Sequence, residues 1–194
     1  MKKIVFSLLM CISFLGFVSI LKAQPSCPSS NWTGPTGWTY SLPGGCGITV
    51  WWCDSADVSF IEEIDISGDT SACTDYGNIL LSADSAVQAY PLRSMPLCSD
   101  GTTISHSVWQ AYCWSPQIAT TNARQLLPCS MSSWTGFCVK TCQLCRTFGA
   151  RGNIIVVTSN CSYSSIGFPP DCEIQPPAPA LWQPGHCYIA NCPN

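Results

Sequence analysis

The sequence predicts an α+β domain, mainly β, with two hairpins, one helix over about residues 75–89 and long loops pinned by disulfides. Three observations carry this. Residues Val58 to Ser67 alternate apolar and polar side chains, the period of a half-buried strand. Ile79, Leu80, Ala83, Ala86, Val87 and Tyr90 recur at three- and four-residue steps, the spacing of an amphipathic helix. Fourteen cysteines follow an apolar leader, which places the chain in an oxidising compartment and makes seven disulfides the default.

At the N-terminus, Lys2 and Lys3 precede an almost wholly apolar run from Ile4 to Leu21, and Ser19, Leu21 and Ala23 prepare a cleavage site. This order predicts a signal peptide over 1–23 and a single secreted domain over 24–194; the rival is an uncleaved membrane anchor, since the run is long enough to span. Cys11 lies inside the leader and leaves with it. No later apolar run reaches membrane length, so no membrane contact is expected once the leader is removed. The expected location is extracellular, periplasmic or at the cell surface. The half-cystines are Cys27, Cys46, Cys53, Cys73, Cys98, Cys113, Cys129, Cys138, Cys142, Cys145, Cys161, Cys172, Cys187 and Cys192. Their connectivity is open, with on the order of 100,000 pairings.

Residues 24–47, rich in Pro, Gly, Ser and Trp, read as irregular chain held by Cys27 and Cys46. Ile48 to Trp52 is a dense run of β-formers that pairs with Val58–Ser67 through the short segment Cys53–Asp57. In that second strand Val58, Phe60, Ile64 and Ile66 fall on one face, and strict alternation puts Glu62 among them. The helix starts at Asp75, with Thr74 or Asp75 as cap, and Pro91 ends it. Val108 to Trp114 reads as a further strand. Gly136–Arg146 and Asn153–Asn160 form the second hairpin, with the glycines of Phe148–Gly152 at its turn. A two-residue turn there would bring Cys138 opposite Cys161. From Ser162 onward prolines multiply, and the tail reads as extended chain fastened through Cys172, Cys187 and Cys192.

Charge narrows the partners. Lys2, Lys3 and Lys22 belong to the leader, so the remainder keeps five of the eight bases against eleven acids, a net charge near −6. So few cations cannot track a phosphate backbone or hold an anionic lipid surface, so nucleic acid is not an expected partner. A weakly charged surface also permits copies of the chain to associate.

The spacing Cys138-x3-Cys142-x2-Cys145 resembles, over eight residues, that of radical enzymes which hold a four-iron cluster and S-adenosylmethionine. That resemblance would make the three thiolates cluster ligands. Leu144 stands where that family carries an aromatic, and no glycine-rich partner motif follows. The alternative is three half-cystines on one strand, Cys138 and Cys142 on one face and Cys145 on the other. Cys142-x2-Cys145 also has the spacing of half a zinc site, but no second close pair completes it. No metal and no cofactor are therefore expected.

Two histidines are present. His106, between two serines, reads as a solvated loop residue, and His186 as part of a turn beside Cys187. There is no Gly-x-Ser-x-Gly elbow. Seven acids, Asp54, Asp57, Glu62, Glu63, Asp65, Asp69 and Asp75, fall within 22 residues with no base among them. Glu62 on an apolar face would be desolvated and its pKa raised, as a general acid requires, with Asp65 or Asp54 as the second carboxylate of a hydrolase. Calcium is another use of clustered carboxylates. The bland reading is a charged edge strand with Glu62 displaced by a bulge. Of the eight tryptophans, Trp51 and Trp52 are adjacent on a strand and face opposite sides, so one of them could stack on a sugar ring. Asn31 and Asn160 fit the N-glycan acceptor pattern.

These residues point to a secreted, disulfide-stabilised, non-catalytic module for binding or assembly at the cell surface. Its candidate partners are carbohydrate, a surface protein or a second copy of itself. The alternatives are a small hydrolase built on Glu62, or an inhibitor or toxin presenting a rigid loop such as Leu92–Thr103.

Overall fold

The computed structural model describes residues 27, 29–68, 73, 76–90, 94–120, 123–129, 136–167, 172–173, 183–190 and 192. The leader, the proposed cap at Thr74 and Asp75, the start of the Leu92–Thr103 loop and most tail prolines lie outside them. Nine strands are described: β1 (Thr33–Leu42), β2 (Cys46–Ser55), β3 (Val58–Gly68), β4 (Ile104–Ala111), β5 (Cys113–Thr120), β6 (Ala123–Pro128), β7 (Gly136–Phe148), β8 (Ile154–Gly167) and β9 (Tyr188–Ile189). One α-helix, α1 (Tyr76–Gln88), follows β3 within a residue or so of its expected bounds. The molecule is mainly β, and the strands form one curled half-barrel rather than two separate hairpins.

The sheet forks at β3. One edge of β3 pairs with β2 along its whole length, and β1 extends that side. The other edge changes partner: Val58–Phe60 run parallel to β4, while Ile64–Ser67 run antiparallel to β6. β4 leads to β7 and β8, and β6 leads to β5 and β9. A bulge lies at the point of the fork. Trp51 pairs with Glu63 and Trp52 with Ile61, so Glu62 is the extra residue. A bulge bends its strand and increases local twist, which turns the two halves of β3 towards different neighbours.

The bulge also corrects the expected faces. Counting across it, Ile61, Ile64 and Ile66 share the face covered by α1, and all three are fully buried. Phe60 lies on the opposite face, edge-on to Phe137 at 5.7 Å. The single apolar face of Val58, Phe60, Ile64 and Ile66 therefore does not form, because one inserted residue inverts the alternation.

The main core lies between α1 and the sheet. Ile79, Leu80, Ala83 and Val87 of the helix pack with Ile48, Val50, Trp52, Ile61, Ile64, Ile66, Val108 and Leu126. Tyr90 closes the end of the helix, edge-on to Trp38 and Trp52 at 5.3 and 4.9 Å. Burial of each large apolar side chain here contributes about 1.5–3 kcal/mol.

Three further expectations are corrected. Residues 24–47 are not irregular throughout, since Thr33–Leu42 is a strand. Val108–Trp114 is not one strand: the chain bends at Tyr112, and β4 and β5 on either side of it have different partners. The β7–β8 turn is longer than two residues, since Phe148 pairs with Ile154, and a register shift between Thr141 and Gln143 moves the strands further. Cys138 is thus opposite Ser165 and bonds Cys192, while Cys142 bonds Cys161. The other bridges are Cys27–Cys53, Cys46–Cys73, Cys98–Cys145, Cys113–Cys172 and Cys129–Cys187. All fourteen half-cystines are used. Cys172, Cys187 and Cys192 fasten the tail to the body, and β9 adds Tyr188 and Ile189 to the edge of β5. The Cys138–Cys142–Cys145 triple forms three separate disulfides, which removes the cluster and zinc readings of these thiols.

Candidate functional site

Two places gather polar or reactive groups, and a third is the outer edge of the sheet. The first is sealed beneath α1. His106 is not a loop residue: it lies on β4, 3% exposed, because even-numbered residues of that strand face the helix. Gln88 holds it twice, its Nε2 donating to the His106 carbonyl at 3.1 Å and its Oε1 lying 3.2 Å from Nδ1. On the other side of the ring Nε2 lies 3.2 Å from Ser59 Oγ, and that hydroxyl donates to Asp54 Oδ1. Asp54 also accepts from the Trp52 indole at 2.9 Å. These are the residue types of a hydrolytic triad in the wrong order: serine stands between the acid and the histidine, where the histidine must stand to take the serine's proton. Ser59 is wholly buried as well. The chain of bonds satisfies buried polar groups between helix and sheet.

One turn along the same interface, Asp84 (1% exposed) accepts from Gln110 Nε2 at 3.0 Å. Its other oxygen, Oδ1, and Gln110 Oε1 are both buried without a partner. Burial pushes the Asp84 carboxyl up to about 8, and nearby Lys140 acts against that rise. A protonated Asp84 brings a donor to a pair of groups that otherwise presents two orphaned acceptors.

The second place is the β3 bulge. Two residues of a bulged strand oppose one on the partner, so Glu62 and Glu63 together meet Trp51. Glu63 is 3% exposed and its Oε1 accepts from Gln125 Nε2 of β6. Asp65 accepts from the Trp51 indole at 2.9 Å. Glu62 is half-buried, its Oε1 is buried without a hydrogen-bond partner, and burial raises its pKa to about 7. Trp51 is partly exposed and lies against β1 at Gly37, where an added Cβ would stand 2.6 Å from the ring. Glycine there is what lets the indole lie flat. Of the sequence candidates, Asp65 and Trp51 are brought into contact, and Glu62 is the bulged residue of the same strand as Asp65. Asp54 is apart from them, since it belongs to the network beneath α1. Trp52 is fully buried in the core, which removes it as a ligand-binding side chain. Glu63, the most deeply buried carboxylate of β3, was not distinguishable in sequence because strict alternation sends it to solvent. Among the described residues no three His, Cys, Asp or Glu side chains are placed to hold a metal ion.

His186 is at the surface, as expected for a turn residue. Its Nδ1 lies 2.9 Å from Glu173 Oε1, and the ring stacks on Tyr188 at 6.3 Å.

The third place is the outer edge of β8. It ends the sheet, and among the described residues no strand pairs with its far side. Its fourteen residues include no charge and no proline. Ile155, Val157 and Ile166 are 43, 38 and 43% exposed, and Phe148 at the hairpin tip is 57% exposed. Sheets are normally blunted at their edges by charge, proline or short strands, and β8 has none of these. A bulge is its only interruption: Asn160, in the left-handed region at φ 49°, sits where the β7–β8 register shifts. The hairpin is stiff, with Cys142–Cys161 across it and Cys98–Cys145 bracing β7 from the side. The part of the Leu92–Thr103 loop that is described supplies that brace through its short turn Cys98–Asp100.

No family model, no curated protein and no solved structure matches this chain.

Proposed function

We propose that the chain is a secreted, non-catalytic module that binds or assembles at the cell surface. The observation that carries this reading is β8: a long, uncharged, apolar-faced strand held rigid by disulfides and presented at the end of a sheet. Such an edge binds by strand addition, main-chain hydrogen bonds giving affinity and alternate side chains giving specificity. Rigidity lowers the ordering cost of that binding. Seven disulfides suit an oxidising compartment, and among the described residues no helix is long and apolar enough to cross a membrane. The reactive-looking Asp54–Ser59–His106 chain is closed to substrate. The test is a screen of the oxidised protein against glycans and surface proteins, together with its size in solution across concentration. A ligand or self-association is expected; a strict monomer with no ligand would contradict the reading.

The second reading is a small hydrolase that uses Glu62, favoured by a carboxyl raised to about 7 at the bulge of a strand that also carries Asp65, which a part-exposed tryptophan holds. One substitution separates the two. In a binding module Glu62→Gln is expected to stabilise the fold above pH 7, because glutamine needs no proton to sit in the bulge, and to leave ligand binding intact. In a hydrolase it would abolish turnover. Thermal melts at pH 5 and pH 8, run beside a polysaccharide and peptide substrate panel, decide between them.

A further inference from the structure

We infer that the partner of the β8 edge is a second copy of this chain, joined antiparallel through Ile154–Thr158 about a two-fold axis normal to the sheet. This rests on the assembly reading above and names its surface and partner. Within β8 the stretch Ile154–Thr158 lies to one side of the Asn160 bulge and forms a regular ladder with β7 from Phe148 to Leu144. It is the β8 segment richest in β-branched residues. Side chains at 155 and 157 share one face and are exposed, while Val156 on the other face packs against Leu144 and Met95. Identical strands meeting across a two-fold axis must place like residues near one another. For a charged edge that is repulsive; here every residue is neutral, so nothing opposes the contact. Centring the axis on Val156 sets Ile155 beside the partner's Val157, and Val157 beside the partner's Ile155, so both exposed apolar side chains are covered twice. The axis keeps faces matched, so α1 of each copy lies on the same side of one continuous sheet. Other described edges fit less well: β1 carries Pro35, and β9 is two residues long. An interface of two five-residue strands is small, so the pairing is concentration-dependent rather than obligate.

The test is sedimentation of the oxidised full-length secreted chain across concentration, with hydrogen exchange of the amides of residues 154–158. A monomer–dimer equilibrium is expected, with the alternate amides of this stretch that point away from β7 protected only where dimer is present. Ile155→Lys and Val157→Glu are each expected to weaken the dimer by about tenfold or more, while melting temperature and free-thiol content stay unchanged. Mixing the two variants should restore association, because the two-fold register sets the new opposite charges side by side. A destabilised fold would give no such rescue. Absence of rescue, a dimer indifferent to both variants, or full protection of 154–158 in dilute monomer would each overturn the proposal. A monomer that still binds a ligand in the screen described above overturns the self-pairing alone; a monomer without a ligand overturns the binding reading as well.

Discussion

Reduction of the seven disulfides is expected to unfold this chain at room temperature. The bridges span 19 to 59 residues, and closing loops of that size stabilises a fold by about 2–4 kcal/mol each. Together they exceed the roughly 5–15 kcal/mol net stability of an ordinary domain. The single pair with the largest local effect is Cys46–Cys73. Cys46 is fully buried and Cys73 nearly so, both in the main core. Replacing both with alanine loses the cross-link and leaves a cavity under α1, so a cost of about 3 kcal/mol or more is expected in urea titrations. Alanine replacement of Cys142 and Cys161 should cost about 1 kcal/mol less than that of Cys113 and Cys172, because the loop it closes is shorter. Equal urea midpoints for all seven paired variants would show that loop closure does not govern the stability of this sheet.

Asp84→Asn is expected to stabilise the protein at and above neutral pH and to remove a slope from its pH profile. The ordinary value for this carboxyl is 3.8, and burial raises it to about 8 in the folded state. Between those values the folded chain holds a proton that the unfolded chain has lost, so stability declines as pH rises. It is fully present below the lower value and lost as pH passes the upper one. Each unit of difference is worth on the order of 1 kcal/mol. Other groups around Asp84 set the details: Lys140 favours the charged form, and Tyr40, itself raised to about 12 chiefly by burial, is raised further by Asp84. Asparagine cannot ionise and carries an N–H for the unpartnered Gln110 Oε1. Urea midpoints from pH 5 to pH 9 check this. The native protein should weaken steadily from pH 5 to pH 9, and the Asn variant should keep only the shallower decline below about pH 7 that Glu62 produces. Parallel profiles would mean that Asp84 is charged throughout. Glu62, raised to about 7, acts with the same sign, so combining Glu62→Gln with Asp84→Asn should give the flattest profile.

How far the sequence foretells this molecule depends on the range of the interaction involved. The helix is legible because its apolar stripe is local. The β2–β3 hairpin is legible because only Ala56 and Asp57 separate the strands and both are β-rich. β1 is hidden by Gly34, Pro35, Gly37 and Ser41, which dilute its alternation. β6 is short, with Arg124 on the same face as Leu126, so its apolar pattern is thin. β5 contains Pro116, which a sequence argument counts against a strand; it is tolerated here because β9 pairs only with Cys113 and Trp114, and among the described residues no strand pairs with that side of β5 further along. The fork of β3 is invisible in sequence. Which strand lies beside Phe60 and which beside Ile66 is decided by contacts between distant parts of the chain.

The candidate sites divide in the same way. Trp51 and Asp65 lie on neighbouring strands of a hairpin that is legible in sequence, but their contact was not foreseen, because it depends on the register that the bulge at Glu62 sets. His106 was misplaced because flanking serines suggested a loop, whereas one of its buried partners, Ser59, lies 47 residues away. The exposed edge of β8 could not be foreseen, since its strand pattern is the same whether or not another strand covers it. The signal that pointed there was its lack of any charge.

Covalent sulfur cross-links hold this sheet in shape, and peptide mapping of the native protein without reduction tests that most directly. Seven linked peptide pairs are predicted, among them Cys142 with Cys161 and Cys138 with Cys192, and no thiol reactive towards alkylation between Gln24 and Asn194. Several alkylatable thiols, or a linkage of Cys138 to Cys161, would contradict the account.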